Sequence, residues 1–484
     1  MIIGAGLAGL SAGIYLQQNG VQTEIFEISG QAGGMCAAWE RGGYRFDGCI
    51  HWMVGTKPGT AFNRLYREVD ALLEDTPIYY PGTLCVEYNA TLYEIPLQLE
   101  PFKEFMLKLS PQDAEAIKAL CGDLALFMNS EMPAGMPADF AELLHFMRHS
   151  TGFAKLSGRY AGMPMQEYAQ RFKSPILRSI ISGIMSAGEA SPKFSAFTLF
   201  MNLATRMSRD AGYPIGGALG IAQRMQAKYL SLGGRLHLRT RVEQILVENG
   251  RAVGVAAKGE FYQADAVIAA CDANSTLTRL LGGSYRHPQL EQLLQSADLF
   301  TPLIMLSFGL NRRLNLPYDI EYECPEGIET APGFTAARFA LRSFEFDPST
   351  APEGCSSVMV RIDTKLDFWQ SLRQQSVEEY RRQKERLAAR AIEALNRRIP
   401  GFQEAVAVCD VATPATYIRY ADLYKASWQG FVPTPKTIPV NIKTAVEGVK
   451  GLVLAGQWVT KGGGICAVVL SGRDAARTIL KHKI

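Results

Sequence analysis

The stretch that decides the fold is IIGAGLAGLSAGIYLQQNGVQTEIFE, residues 2–27. A short apolar run, Ile2 and Ile3, meets Gly4, Gly6 and Gly9 in the spacing G-x-G-x-x-G. A helical pattern follows, with Leu10, Ile14 and Leu16 apolar, until Gly20 stops it. Val21 to Phe26 read as a second strand, and Glu27 closes it. Each glycine has a separate task. Gly4 permits the strand-to-helix turn, Gly6 lets a pyrophosphate approach the backbone, and Gly9 lets the helix lie close to the sheet. The free N–H groups of Leu7, Ala8 and the rest of the first helical turn, with the positive end of the helix dipole, suit phosphates. Glu27 is placed to accept hydrogen bonds from an adenosine ribose. The motif alone would be weak, but here it sits in a complete strand–helix–strand–acid unit, the context its meaning requires.

The rest of the composition bounds the problem. A chain of 484 residues exceeds one ordinary core, so two or more domains are expected. Hydrophobic residues make up 47% and charged residues 20%, values usual for a folded soluble protein. The formal charge of +3, without a long basic run, argues against a nucleic-acid partner. Nine cysteines stand singly with no C-x-x-C, which fits reduced thiols in a cytoplasmic protein and offers no zinc motif. No metal site is expected. The cofactor motif begins at the first residue, so no signal peptide is expected, and the first strand is expected to be short or clipped. No stretch reaches the length of a membrane-spanning helix without a charge or a Gly/Pro break.

Beyond Glu27 comes SGQAGGMCAAWERGGYRFDGCIHWMVG, residues 29–55. With Gly33 and Gly34, G-Y-R-F-D-G at 43–48 and His51, it resembles the corresponding segment of the flavin-dependent amine oxidase and phytoene desaturase superfamily. The resemblance implies that the double glycine lets the loop run along a flavin diphosphate, and His51 is read either as a residue near the flavin or as a structural histidine in a turn. Family members often carry Arg or Lys after the glycines. Met35 stands there instead, which points away from amine oxidases proper and towards the carotenoid-desaturase branch. Cys36 and Cys49 are read as packing residues.

Further along, residues 61–75 predict an amphipathic helix with Phe62, Leu65, Tyr66, Val69 and Leu72 on one face, and 78–96 predict short antiparallel strands. From about 100 to 209 the pattern is helical and rich in Met and Phe, a composition suited either to an adaptable apolar pocket or to ordinary core. At 212–271 the order is a helix opened by Gly216 and Gly217, then strands. It closely resembles the second cofactor segment of the same superfamily, which implies that the strand bearing Val242 contacts the adenine. Residues 300–311 and 356–363 read as strands separated by a turn-rich region with Pro317, Pro325, Pro332 and Pro348. A single long amphipathic helix follows, stopped by Pro400 and Gly401. The aromatic segment 413–435 resembles the border of the substrate cavity in desaturase-like proteins, so Tyr417, Tyr420, Tyr424, Trp428 and Phe431 are candidates for its wall.

Near the end, GLVLAGQWVTKGGGICAVVLSGRDAARTIL predicts a buried strand, a turn at Gly456, and three glycines before a helix starting near Ile465. Glycines at 463 and 464 let a helix N-terminus touch a flat ring, where its N–H groups can stabilise negative charge. Gln457 follows Gly456, where the family has an acid or Asn on the ribityl chain.

Together these readings imply an α/β protein with a Rossmann-like, glutathione reductase-like FAD-binding domain and a second α+β substrate domain built from two insertions. The expected division is 1–80, 210–286 and 426–484 for FAD, and 81–209 and 287–425 for the substrate. The family implies an FAD-dependent oxidoreductase of the phytoene desaturase, carotenoid isomerase or retinol saturase type. Its chemistry would be hydride transfer between flavin N5 and a C–C bond of an apolar isoprenoid or polyene. No side chain is assigned as a catalytic acid or base. An amine oxidase and a reduced-flavin isomerase without net electron transfer remain the alternatives. The electron acceptor, oxygen or a quinone, is not identified. Apolar helices beside Arg148, Lys155, Arg159, Arg171 and Lys173 in 140–205 suggest a peripheral membrane contact.

Overall fold

The computed structural model of the chain describes residues 1–135, 140–185, 188–460 and 462–481. Its cofactor-type sheet has five parallel strands, ordered Arg235–His237, Glu24–Phe26, Ile2–Ile3, Val267–Ala269 and Leu452–Leu454. The first strand is short, as expected, and lies at the centre: Ile2 is opposite both Ile25 and Ile268. Strands buried on both faces must be apolar, as Ile2–Ile3, Val267–Ala269 and Leu452–Leu454 are, whereas Glu24, Arg235 and His237 of the other two strands are partly or fully exposed. The helix Leu7–Gln18 leaves the central strand and packs on two others, Gly217–Ser231 and Gly464–Lys481. Contact with the last helix is backbone to backbone. A Cβ on Gly472 would stand 2.2 Å from the Ala8 carbonyl oxygen. A small antiparallel sheet, Val242–Glu248, Arg251–Ala257 and Glu260–Gln263, flanks this unit.

A second sheet has seven strands, ordered Val406–Ala412, Leu303–Leu310, Ser356–Asp363, Phe334–Ser343, Asp319–Ala331, Thr83–Tyr88 and Thr91–Pro96. All neighbours are antiparallel except Asp319–Ala331 beside Thr83–Tyr88. One face, with Leu306, Phe308, Leu341, Val360 and Ile362, packs on the helix Val377–Arg398 through Leu387, Ala391 and Leu395. The helices between 99 and 207 form a separate core around Leu120, Leu124 and Phe200.

Several expectations are corrected. The proline-rich region at 317–348 is not mainly turns: it holds the two long strands Asp319–Ala331 and Phe334–Ser343. Pro325 is tolerated because the pairing slips between Glu323 and Ile328, where a proline needs no ladder partner. Pro332 and Gly333 (φ +67°) make the hairpin turn. The single long helix is two, Leu366–Gln375 and Val377–Arg398. They divide at extended Ser376, whose hydroxyl caps the second by accepting from Glu379 N–H at 3.1 Å. The helix predicted over 61–75 ends earlier, at Glu68, since Asp70 takes a left-handed backbone (φ +54°). Its predicted inward residues are nonetheless all buried.

Candidate cofactor site

A cavity of about 650 Å³ follows the edge of the parallel sheet from Glu27 to the last helix. It is built around close backbone approach. Gly33 N–H donates to the Ala5 carbonyl at 2.8 Å, and Gly6 pairs with Gly33 in an isolated parallel bridge, so the two segments run side by side. A Cβ on Gly34 would stand 3.2 Å from Gly6 Cα, whereas one on Gly6 would meet only Gly34 Cα at 4.0 Å and would enter the cavity. Gly9 differs: its Cβ would lie 1.9 Å from the Gly4 carbonyl oxygen, so its task is helix–sheet packing. Gly4 itself is left-handed, at φ +98°.

Glu27 is buried at the far end. Its carboxylate accepts from Ala5 N–H at 2.7 Å and Ser29 N–H at 2.8 Å. Burial pushes its pKa up, and those N–H donors oppose the shift. Val242 lines the cavity beside it. Asp47 joins this segment to the next: its buried carboxylate accepts from Cys49 N–H, Ala218 N–H and Tyr213 O–H, each at 2.8 Å. It thereby serves the start of the Gly217–Ser231 helix, whose Gly216 is left-handed at φ +91°.

Of the residues singled out in the sequence, Gly4, Gly6, Leu7, Ala8, Glu27, Gly33, Gly34, Met35, Val242, Gly456 and Gln457 line this cavity, with Tyr417 and Tyr420 on its outer wall. Tyr417 is buried and Tyr420 is exposed. Gln457 donates through Nε2 to the Ser427 carbonyl at 3.2 Å, so its amide is already engaged. Gly463, Gly464 and Ile465 lie at the N-terminus of the last helix, outside the lining. A Cβ on Gly463 would stand 2.6 Å from the Gln429 carbonyl oxygen. Trp428 packs on Phe300 and His51, while Tyr424 and Phe431 pack on Trp458, so these three aromatics lie outside the lining. His51 is also outside it: its Nδ1 contacts Arg361 Nη1 at 3.2 Å. Burial, with Arg342, Arg361 and Arg206 nearby, holds its pKa well below the usual imidazole range, so it is neutral. The Met- and Phe-rich helices of 100–209 contribute nothing to the cavity wall among the described residues. They pack on one another.

Sequence reasoning missed the cations at the cavity rim. Arg241 and Arg279 both pair with Asp422, at 3.3 and 2.6 Å, and Arg41 lies 3.5 Å from Asp410. The signal was Arg241, immediately before Val242. Asp272 was also missed. Its carboxylate accepts from Ser275 N–H and Tyr424 N–H, each at 2.9 Å, and burial raises its pKa to about 6.

A cavity of this size, with a glycine cradle at a helix N-terminus, a buried acid at one end and Val468 of the last helix lining the other, fits a dinucleotide of flavin length. A family model for flavin containing amine oxidoreductase matches residues 7–480. The chain belongs to that family. It is an FAD-dependent oxidoreductase. Among curated relatives, prolycopene isomerase of Arabidopsis thaliana is 25% identical over 516 residues, covering 99% of this chain and 82% of the relative. The lycopene-forming phytoene desaturase of Pseudescherichia vulneris is 26% identical over 519 residues, covering 99% of each. The solved structure of wild-type putrescine oxidase bound to putrescine superposes with a TM-score of 0.63 over 99% of this chain and 98% of that one, at 15% identity. That last likeness concerns the fold alone. Among the described residues no group of His, Cys, Asp or Glu could hold a metal ion, and no helix is long and apolar enough to cross a membrane.

Proposed function

We propose that this protein acts on a C–C bond of an isoprenoid or polyene, by desaturation, saturation or isomerisation. Residues 1–80, 210–286 and 426–484 would hold FAD, and 81–209 with 287–425 would hold the substrate. The observation that carries the reading is Met35. It lines the cofactor cavity directly after the Gly33–Gly34 approach and brings no charge to it. FAD, when bound, supplies hydride transfer. The protein's residues do the rest. Gly6 and Gly34 leave room for the diphosphate, and Glu27 with Ala5 N–H and Ser29 N–H defines the ribose end. Val468 of the helix Gly464–Lys481 and Tyr417 would border the end of the cavity that holds the ring system. Mass spectrometry of apolar molecules that co-purify with the protein tests this. An isoprenoid that turns over supports it, and oxidation of an amine with none of an isoprenoid overturns it. Turnover with no acceptor consumed would identify the isomerase form.

The same substrate class requires access to lipid. The helix Phe140–His149 exposes Phe140 (73%), Leu143, Leu144 and Met147 (61%), beside exposed Arg148 and Lys155. Side chains of that kind suit an interfacial helix on an anionic surface. Arg159, offered earlier for the same task, is already paired with Asp123 at 2.7 Å, and Arg171 stacks on Tyr160 and Tyr168. Residues 186 and 187 of that stretch lie outside the described residues. Flotation with anionic liposomes should capture the protein, and replacing Phe140 and Met147 by Ser should release it. Equal flotation of both would remove this helix from the contact.

A further inference from the structure

Cys36 and Cys49, read from the sequence as packing residues, meet in the structure. Their sulfurs lie 3.1 Å apart, and both are free thiols. The hairpin of Ala38–Arg41 and Tyr44–Asp47 explains why. Its register pairs Ala38 with Asp47, so one step outward sets Ala37 opposite Gly48 and a second sets Cys36 opposite Cys49. Gly48 N–H donates to the Ala37 carbonyl at 3.1 Å, which makes that pair the hydrogen-bonded one and Cys36–Cys49 the non-hydrogen-bonded one. In pairs of the second kind the Cα atoms stand about 4.5 Å apart, within the range of about 4.4–6.8 Å that a disulfide spans. The sulfurs need to close by only about 1 Å to bond.

The two sulfurs have unlike supports. Cys49 N–H donates to Asp47 Oδ1 at 2.8 Å, and Asp47 is itself held by Tyr213 O–H and Ala218 N–H, so Cys49 is fixed to the frame of the protein. Cys36 closes the turn that carries Gly33 and Gly34: its N–H donates to the Gly33 carbonyl at 3.0 Å, and both glycines have positive φ (+123° and +59°). Cys36 lines the cofactor cavity, whereas Cys49 lies outside the lining. The hydrogen bond with Cys36, and then burial, hold the Cys49 thiol well above the usual thiol range. Cys49 therefore keeps its proton, and Cys36 is the sulfur that a reagent in the cavity meets. Packing alone asks only for two small side chains. It does not ask for two sulfurs in bonding register, one on the frame and one on the turn that forms half of the glycine cradle.

We propose that Cys36 and Cys49 form a reversible disulfide that latches the cofactor cradle: when the bond is made, it ties the Gly33–Gly34 turn to the Asp47 anchor and slows the loss of FAD. The co-reactant is a small-molecule disulfide. Cys36 attacks one of its sulfurs as the thiolate and releases a first thiol; Cys49 then gives up its proton, attacks Cys36 Sγ and releases the second. Two protein thiols are oxidised, one external disulfide is reduced to two thiols, and the two protons pass to the released thiols. Excess small thiol runs the same steps backwards. Transient bonds of this kind are the usual form of disulfide in a reducing compartment. The latch acts on the cofactor and is independent of which substrate the enzyme takes.

The test uses the FAD-loaded enzyme, equilibrated in mixtures of 2-mercaptoethanol and 2-hydroxyethyl disulfide, then alkylated and digested with trypsin. Arg41 and Arg45 lie between the two cysteines, so the digest separates them unless they are bonded. Mass spectrometry should find a Cys36–Cys49 crosslinked pair in the oxidising mixtures and two alkylated thiols in the reducing ones. Cys49→Ala should instead carry a mixed disulfide on Cys36. Release of FAD, read as the rise of flavin fluorescence on dilution, should be roughly threefold or more slower from the oxidised protein than from the reduced one, as expected for a cradle fixed in its binding shape. In Cys36→Ala and Cys49→Ala the release rate should not depend on the mixture. Two alkylated thiols in every mixture would overturn the disulfide. A crosslink with equal release rates in both forms would overturn the latch, and so would a redox-dependent rate that persists in both alanine variants.

Discussion

Gly6 and Gly9 belong to one motif, but the structure separates their roles, and substitutions at the two should fail in different ways. Gly6 has an ordinary extended backbone (φ −66°, ψ 172°), and a Cβ there meets only Gly34 Cα at 4.0 Å. Without cofactor, Gly6→Ala should therefore be neutral or stabilising by about 0.4–1 kcal/mol, through the unfolded chain. Gly6→Val puts its methyl groups where a diphosphate must approach. Loss of two charge-assisted hydrogen bonds, about 1.5–3 kcal/mol each, weakens FAD binding by at least roughly a hundredfold. At Gly9 a Cβ would stand 1.9 Å from the Gly4 carbonyl oxygen and 3.4 Å from Ala270 Cβ. The helix must move off the strand, and overpacking of that kind costs about 1–3 kcal/mol or more. The assay measures flavin per protein after purification, then melts the deflavinated proteins. Gly6→Val should be colourless with a near-normal apoprotein melt; Gly9→Ala should melt early even without FAD. Full flavin occupancy in Gly6→Val, or an apoprotein melt as low as that of Gly9→Ala, would refute the assignment.

Other outcomes follow from single groups. Because burial raises the Glu321 pKa from 4.5 to about 7, the folded state keeps a proton that the unfolded state has released between those values. Stability should fall as pH rises through that window, by up to about 3 kcal/mol, and Glu321→Gln should flatten the profile of denaturant midpoint against pH. The flavin released on denaturation should be FAD, since Glu27 has a ribose to meet only in a dinucleotide; chromatography showing FMN would remove that role. NADH and NADPH should not reduce the flavin within seconds in a stopped-flow mixing experiment, because the chain carries one dinucleotide motif with its strand and acid; rapid bleaching would contradict this.

The cofactor half was legible because its chemistry is local. Gly4, Gly6, Gly9 and Glu27 fall within one strand–helix–strand unit, so spacing alone carries the geometry. The resemblance then supplied Gly33, Gly34, Val242 and Gly456, and all four line the cavity. The second half was less legible for physical reasons. Prolines at 325 and 332 read as punctuation, yet one sits at a pairing slip and the other in a hairpin turn, so the strands around them went unseen. Missing those strands also hid the alternation Asp319, Glu321, Glu323 against Arg338, Arg342. Opposed charges of this kind show as a face only once the register is known. Ser376 gave a visible cap signal, but helical periodicity on both sides masked it. The resemblance offered His51 near the flavin and Trp428 on the substrate-cavity wall, and the structure seats both beside Arg361.

The order of the five-stranded parallel sheet has a consequence for biosynthesis. Its central strand is made first, at Ile2–Ile3, but its neighbours come from residues 24–26 and 267–269, and an outer strand from 452–454. The helix Leu7–Gln18, which opens the site, completes its packing only against Gly464–Lys481. A ribosome therefore releases nearly the whole chain before this unit can close. Until then an apolar first helix and unpaired strand edges stay exposed to other chains. Long-range pairing of this kind is slow to form. A ligand that binds only the closed form pulls the equilibrium towards it by mass action, so flavin supply during expression should govern the yield of soluble protein as well as its colour.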